Sequence, residues 1–176
     1  EFAALEADVE KTPNNAELHY KLGLAYIVQA EKNKSPRSRE LAIKNFRQVL
    51  KLVPGNPATL KLLYNIYYED IVAGNDKAFA KASNIFNQLS TTTQMEVNAP
   101  SLGVFLHRYV AQNKSGKKNL SELYSALLAA IHEQPASDKA YIQLAKMYRE
   151  ENYFLLALAT LKLGAEQVAD SGDLYE

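Results

Sequence analysis

Residues 15–26 have the sequence NAELHYKLGLAY, and residues 138–148 have the sequence DKAYIQLAKMY. Each stretch carries a large residue, then Leu three positions later, a small residue next, and Tyr three positions after that. Residues three and four positions apart lie on the same face of an α-helix, so both stretches predict helices with one apolar packing face. The recurrence of the pattern predicts a helical repeat protein.

A second set of apolar and small residues follows the first of these helices and completes a helix-turn-helix repeat. The residues that define this repeat are His19, Leu22, Gly23, Tyr26, Ala42, Phe46, Val49 and Pro54. They resemble the tetratricopeptide repeat (TPR) family, and similar residues recur along nearly the whole chain. The resemblance implies an all-α fold, a right-handed α-solenoid of stacked antiparallel helix pairs. Small residues at Gly23 and Ala42 predict a close approach of the two helices in this repeat.

The TPR resemblance divides the chain into repeats of unequal length within one predicted domain, residues 1–176. The parts are a partial repeat or cap helix at 1–13, lengthened repeats at 16–56, 57–96 and 99–137, and a repeat of standard length at 138–171. The extra residues fall around the turn between the two helices of a repeat. They form either a binding rim along one edge of the array or longer helices with solvated turns.

Capping residues predict where several helices begin. Asn56 precedes Pro57, which suits the first helical position because its missing N–H costs nothing there. Asn119 stands three residues before Glu122, the spacing of a capping box. Asn98 is predicted to cap the helix that follows Pro100.

Composition narrows the function classes. The chain has 176 residues, with 20 Lys and Arg balanced by 20 Asp and Glu, and no Cys. Zero net charge, without a basic stripe, leads us to expect no nucleic acid partner. No apolar run approaches the roughly 20 residues that a membrane helix needs, so we expect a soluble chain without membrane insertion. The compartment stays open, because both cytoplasm and periplasm host proteins without thiols.

The sequence predicts no catalytic centre. Catalysis requires a nucleophile or an acid–base pair that a third group holds in place. The three histidines, His19, His107 and His132, occupy different repeat positions, and none has a partner at metal-ligand spacing. We therefore expect no enzyme activity, no cofactor and no metal, and we interpret His19 as a partly buried packing residue.

The TPR resemblance implies a peptide-binding groove lined by the first helix of each repeat. The candidate contacts are Lys61, Asn65, Tyr68, His107, Lys139, Lys146 and Arg149. They favour another protein or a peptide as partner, with an acidic or C-terminal segment. Lys61, Asn65 and Lys139 match three of the five positions that hold a terminal carboxylate in chaperone-binding members. Val104 and Gln143 replace the other two, so a coincidental match remains the alternative.

Two other roles stay open at this level. Apolar residues near the ends of the array, Phe2, Leu5, Leu161 and Leu174, allow self-assembly by end-to-end stacking. A partial first repeat is also compatible with a regulatory domain of a larger multi-domain protein. The acidic tail, residues 166–176, is interpreted as a fraying helix end and linker.

Overall fold

A computed structural model describes residues 2–168, and every regular element within that range is an α-helix. The helices are α1 (Phe2–Lys11), α2 (Ala16–Asn33), α3 (Pro36–Leu52), α4 (Pro57–Val72), α5 (Lys77–Phe86), α6 (Thr91–Glu96), α7 (Pro100–Ser115), α8 (Leu120–Glu133), α9 (Asp138–Glu150) and α10 (Phe154–Gln167). Consecutive helices pack as pairs, so the predicted all-α class of packed helix pairs is confirmed. None of the helices in this range combines the length and apolar character that crossing a bilayer demands.

The chain divides into two compact units, and the division falls inside α4, between Leu63 and Tyr64. The first unit contains α1 to α3 and the start of α4. The second contains the rest of α4 and the helices that follow it. The assignment of residues 1–176 to a single domain stays a prediction.

In the first unit, α2 and α3 form a long antiparallel hairpin. Only Lys34 and Ser35 separate the two helices, and Lys34 adopts a left-handed conformation with φ 49°. A hydroxyl cap from Ser35 and proline at the next position start α3 at once. The extra residues of this repeat therefore lengthen its helices to 18 and 17 residues. No extended binding rim forms between these two helices.

The core of the first unit lies between α2 and α3, where Phe46 is completely buried. Its ring occupies the space above Gly23, where a Cβ atom would come within 2.6 Å of Phe46 Cε1. The close approach predicted at Gly23 therefore accommodates the aromatic ring of the partner helix. Any larger residue at Gly23 requires this ring to move.

The second unit contains two further helix pairs, α7–α8 and α9–α10, and a short helix that the repeat pattern did not predict. Its main core joins α7, α8 and α9 through the buried residues Ala99, Leu102, Phe105, Leu123, Ala126, Leu127, Ala130, Ala140, Leu144 and Met147. The additional helix, α6, is held by tertiary contacts. The Gln94 side chain donates to the Phe86 carbonyl at 2.8 Å, and Gln134 donates to the Gln94 carbonyl at 2.6 Å.

Two predicted helix caps are confirmed and one is wrong. The side chains of Asn56 and Asn119 each accept a hydrogen bond from the backbone N–H three residues later. Asn98 does not cap α7, because the cap position is Ala99, which offers no side-chain acceptor. Glu133 of α8 supplies the missing acceptor: its carboxylate receives the Ser101 backbone N–H at 2.9 Å and the Ser101 hydroxyl at 2.6 Å. A tertiary contact thus replaces the local cap.

Candidate functional site

One face of α9 carries three basic side chains. Lys139 and Lys146 are two helical turns apart and Arg149 follows three residues later, so all three share one side of the helix. Lys146 and Arg149 are exposed, and Lys139 is half-buried. The opposite side of α9 fixes this orientation, because it packs into the core through Ala140, Leu144 and Met147. We call the surface formed by Lys139, Lys146 and Arg149 the basic face of α9.

The charges on the basic face are not neutralised by the rest of the described chain. None of its three cations forms a salt bridge with a residue in the range 2–168. The acidic residues at the end of α9, by contrast, already have partners. The Lys118 ammonium lies 3.9 Å from Glu150 and 3.8 Å from Glu151, and the Tyr109 hydroxyl donates to Glu150 at 3.0 Å. Lys118 therefore compensates the nearest negative charges and leaves the basic face positive.

Tyr68, a predicted groove residue, is used for packing between α4 and α7. Its ring lies against Gly103, where a Cβ atom would come within 2.9 Å of Tyr68 Cε2 and 3.1 Å of Ile71 Cγ2. Burial raises the pKa of the Tyr68 hydroxyl. The ring also stacks on Tyr64, with centroids 6.0 Å apart. Tyr68 thus has intramolecular contacts on both sides.

His107, one turn further along α7, is also held inside the fold. Its Nδ1 donates to the Val72 carbonyl at the end of α4 over 3.3 Å. Its ring covers Gly74, which has φ +92° and where a Cβ atom would lie 2.5 Å from His107 Cε1. Only glycine combines this backbone conformation with so close an approach. Tyr68 and His107 therefore brace the contact between α4 and α7.

The other predicted contacts lie on α4. Asn65 is exposed and belongs to the second unit. Lys61 is half-buried and belongs to the first unit. The carboxylate clamp that would combine Lys61, Asn65 and Lys139 stays a prediction. The second unit therefore brings together Lys139, Lys146 and Arg149 on α9, and it uses Tyr68 and His107 in packing.

Sequence reasoning missed two features that define this surface. Lys118 compensates the acidic end of α9, yet its spacing from Glu150 in sequence gives no signal of the contact. Gly74 and Gly103 carried a usable signal, because glycine at a helix face or turn indicates a close approach. Both glycines accept the aromatic rings that the groove prediction had assigned to a ligand.

The remaining histidines lie away from the basic face. His19 is buried in the first unit, with Nδ1 2.8 Å from Asn45 Oδ1 and Nε2 2.9 Å from the Pro13 carbonyl. His132 is exposed on α8. Across residues 2–168 no three His, Cys, Asp or Glu side chains cluster in a way that would hold a metal ion. The packing role predicted for His19 agrees with its burial.

Comparisons with known proteins report a limited likeness. No family model matches the chain, and no curated protein matches it. The structure of the human IFIT1 dimer with PPP-AAAA matches at a TM-score of 0.43 and 18% identity, covering 96% of this chain and 44% of that chain. The human IFIT1 dimer with m7Gppp-AAAA matches at a TM-score of 0.44 and 18% identity, over 96% and 42% of the two chains. This chain thus spans less than half of the length of each matched chain.

The expectation that nucleic acid is excluded as a partner was wrong. Both matched IFIT1 structures contain RNA, PPP-AAAA or m7Gppp-AAAA, so an array of helix pairs is compatible with such a ligand. The physical error lay in reasoning from net charge. A total of zero is compatible with a local positive surface, and Lys139, Lys146 and Arg149 form one.

Proposed function

We propose that this chain is a TPR-like binding module that holds an acidic segment of another protein on the basic face of α9. The observation that carries the proposal is the absence of salt bridges from Lys139, Lys146 and Arg149 to any residue within 2–168. Three cations on one helix face attract negative charge and accelerate its encounter with that face. Arg149 adds a planar donor pair that suits a carboxylate.

The dimensions of the basic face suit a short extended peptide. Lys139 and Lys146 are separated by two helical turns, or about 10 Å along the axis. Arg149 extends this distance to about 15 Å, which about four or five residues of an extended chain span. Carboxylates spaced along such a segment would face successive cations. Asn65, exposed on α4, is a further polar contact within the second unit.

In this proposal Tyr68 and His107 act indirectly. They brace α4 against α7 through Gly103 and Gly74, and thereby fix the helices that flank the binding surface. We also propose that the chain acts by binding and not by catalysis. The buried contacts of His19 with Asn45 and Pro13, and the contact of His107 with Val72, support this because they leave neither imidazole at an open site.

The test compares binding of a fluorescein-labelled peptide of alternating Glu and Ser to parent and variant proteins by fluorescence anisotropy. Lys146→Glu combined with Arg149→Glu reverses two charges of the basic face. Lys114→Glu combined with Lys117→Glu is the matched control, because these exposed lysines at the end of α7 give the same change in net charge. We expect the first variant to weaken binding by about tenfold or more and the control to stay close to the parent.

Salt and RNA provide two further arms of this experiment. Added salt should weaken the parent's binding, because it screens exposed charges. A labelled oligoadenylate is titrated in parallel. The proposal fails if the acidic peptide does not bind, if both double variants behave alike, or if RNA binds through the basic face and the acidic peptide does not.

A further inference from the structure

The last described helix, α10, exposes a continuous apolar surface. Leu155 is 84% exposed, Leu158 65% and Phe154 62%. Leu163, two turns after Leu156, is also exposed. We call the surface formed by Phe154, Leu155, Leu158 and Leu163 the outer face of α10. An apolar surface of this extent on one helix indicates an interaction site.

The inner face of α10 already has its partner. Gly164 lies directly beneath the Tyr141 ring of α9, where a Cβ atom would come within 2.9 Å of Tyr141 Cγ. Gly164 is the one fully buried residue among those described in α10. The contact with α9 therefore uses a single side of the helix, and the outer face lies on the other.

The internal repeat shows what the outer face is shaped to hold. A shift of 34 residues, the length of the repeat, aligns α8 with α10 and places Leu120 opposite Phe154 and Tyr124 opposite Leu158. On α8 these two positions pack against the core that includes α9. Tyr124 stacks on Tyr148 of α9 with ring centroids 5.2 Å apart. The positions through which α8 holds the next helix are thus apolar and exposed on α10.

We propose that the outer face of α10 docks one amphipathic helix of a partner protein, in the way that α8 holds α9. The partner helix would place a large apolar or aromatic side chain on Leu158, as Tyr148 is placed on Tyr124. It would carry small or aliphatic residues at the spacing of Ala140 and Leu144, with charged residues on its opposite side. This surface is separate from the basic face of α9.

A second copy of the chain is a poorer occupant than a partner helix. The repeat places the first helix of a pair on this kind of surface, whereas α10 is the second helix of its pair. The described first helices α2, α7 and α9 already contact other helices on two sides: α1 and α3, α5 and α8, and α8 and α10. A second copy would therefore have to open one of its own pairs to supply such a helix.

The experiment uses a hydrocarbon-stapled peptide with the sequence of residues 138–150 as the probe. The staple is needed because isolated helices of this length are marginal in water. The probe is titrated into ¹⁵N-labelled protein, and amide chemical shifts locate the binding surface. We expect saturable shifts on α10. A probe with Ala in place of Tyr148 should bind about tenfold more weakly, because the side chain that faces Leu158 is truncated.

Leu158→Lys is the test variant and Leu128→Lys is its matched control. Leu128 is also an exposed leucine, 56% accessible, but it lies on α8 outside the outer face of α10. Both side chains are exposed, so both variants should keep the parent's circular dichroism spectrum. We expect Leu158→Lys to weaken probe binding by about tenfold or more and Leu128→Lys to leave it unchanged.

Three results would overturn the proposal. The first is the absence of shifts on α10, and the second is equal binding by the two variants. The third is a parent protein that self-associates in sedimentation and becomes monomeric with Leu158→Lys, since the occupant would then be a second copy. The acidic-peptide proposal is unaffected by any of these results, because it concerns different residues.

Discussion

The two units use different side chains to hold their helices together. In the first unit, polar contacts join neighbouring helices: His19 with Asn45, Tyr26 with Glu6, and Ser38 with Gln29. In the second unit, aromatic rings hold the corresponding places: Tyr64 with Tyr68 and Phe86, Phe105 with Tyr109, and Tyr124 with Tyr148. The same helix-pair pattern therefore tolerates two kinds of contact.

This difference shows which property each kind of contact supplies. Hydrogen bonds between buried side chains are directional, so they fix the register of α2 against α1 and α3. Stacked rings bury apolar area and accept a range of angles, which suits helices that differ in length. The exposed apolar surface of α10 also belongs to the second unit. We therefore expect the first unit to respond most to changes in polar partners and in its one central ring.

The largest effect is expected from Phe46→Ala in the first unit. Phe46 is completely buried above Gly23, so its removal leaves a cavity that the adjacent helices cannot close. Such a change costs about 3–5 kcal/mol of unfolding free energy. Chemical denaturation measures it, with the exposed Lys44→Ala as the control on the same helix. A loss below about 1 kcal/mol would show that α2 and α3 collapse onto each other at Gly23.

The next effect tests whether the polar contacts of the first unit are as important as its core. His19→Leu leaves the Asn45 side-chain oxygen and the Pro13 carbonyl buried without their imidazole partner. We expect a loss of about 1–3 kcal/mol for each group that stays unsatisfied. Urea denaturation compares this variant with His132→Leu, which changes an exposed histidine and should have little effect.

A double variant sharpens the test at His19. In His19→Leu combined with Asn45→Leu, both members of one buried hydrogen bond are replaced by apolar groups. This double replacement should cost less than the sum of the single changes, because no polar atom of the pair remains unsatisfied. Strict additivity would mean that the contact between His19 and Asn45 contributes nothing to the first unit.

Sequence reasoning predicted the helices whose signals are local. The apolar spacing at residues 15–26 and 138–148 predicted α2 and α9, and capping at Asn56 and Asn119 predicted the starts of α4 and α8. It did not predict α6, whose Thr-rich sequence is a weak helix former. That helix depends on the contacts of Gln94 and Gln134, which come from distant parts of the chain.

The candidate site was predicted in part for the same reason. Helical spacing places Lys139, Lys146 and Arg149 on one face, and this needs no tertiary information. Whether Tyr68 and His107 face a ligand or a neighbouring helix depends on how closely α4 and α7 approach. That distance is set by Gly103 and Gly74, which are far from these aromatic residues in sequence.

A smaller effect separates local from tertiary helix caps. In the first unit, Asn15 caps α2 by accepting from the backbone N–H groups of Glu17 and Leu18. In the second, Glu133 caps α7 from another helix through two hydrogen bonds to Ser101. We expect Asn15→Ala to cost about 1 kcal/mol and Glu133→Ala about 1–3 kcal/mol, because the second removes charged hydrogen bonds. Thermal unfolding measures both, and the reverse order would contradict this account of the α7 start.

The smallest effect at neutral pH is expected for Tyr26→Phe, and it should grow at alkaline pH. Burial, together with the hydrogen bond that its hydroxyl donates to Glu6, raises the pKa of Tyr26 to about 12. An unfolded tyrosine titrates near pH 10. Because the pKa is raised in the folded state, its contribution to stability is complete below about pH 10 and is lost as the pH rises from about 10 to about 12. The unfolding free energy of the parent should therefore fall more steeply over this range than that of Tyr26→Phe.

The alkaline titration also compares the two units. Burial raises the pKa of Tyr64 in the second unit as well, so this tyrosine should stay protonated where Tyr26 ionises. Phenolate absorbance followed with circular dichroism should show the ionisation step near pH 12 in the parent and its loss in Tyr26→Phe. Equal slopes of stability against pH in the two proteins would mean that the unfolded chain keeps the contact between Tyr26 and Glu6. The polar contact would then be a local preference of α1 and α2, and the contrast with the aromatic second unit would rest on His19 and Ser38.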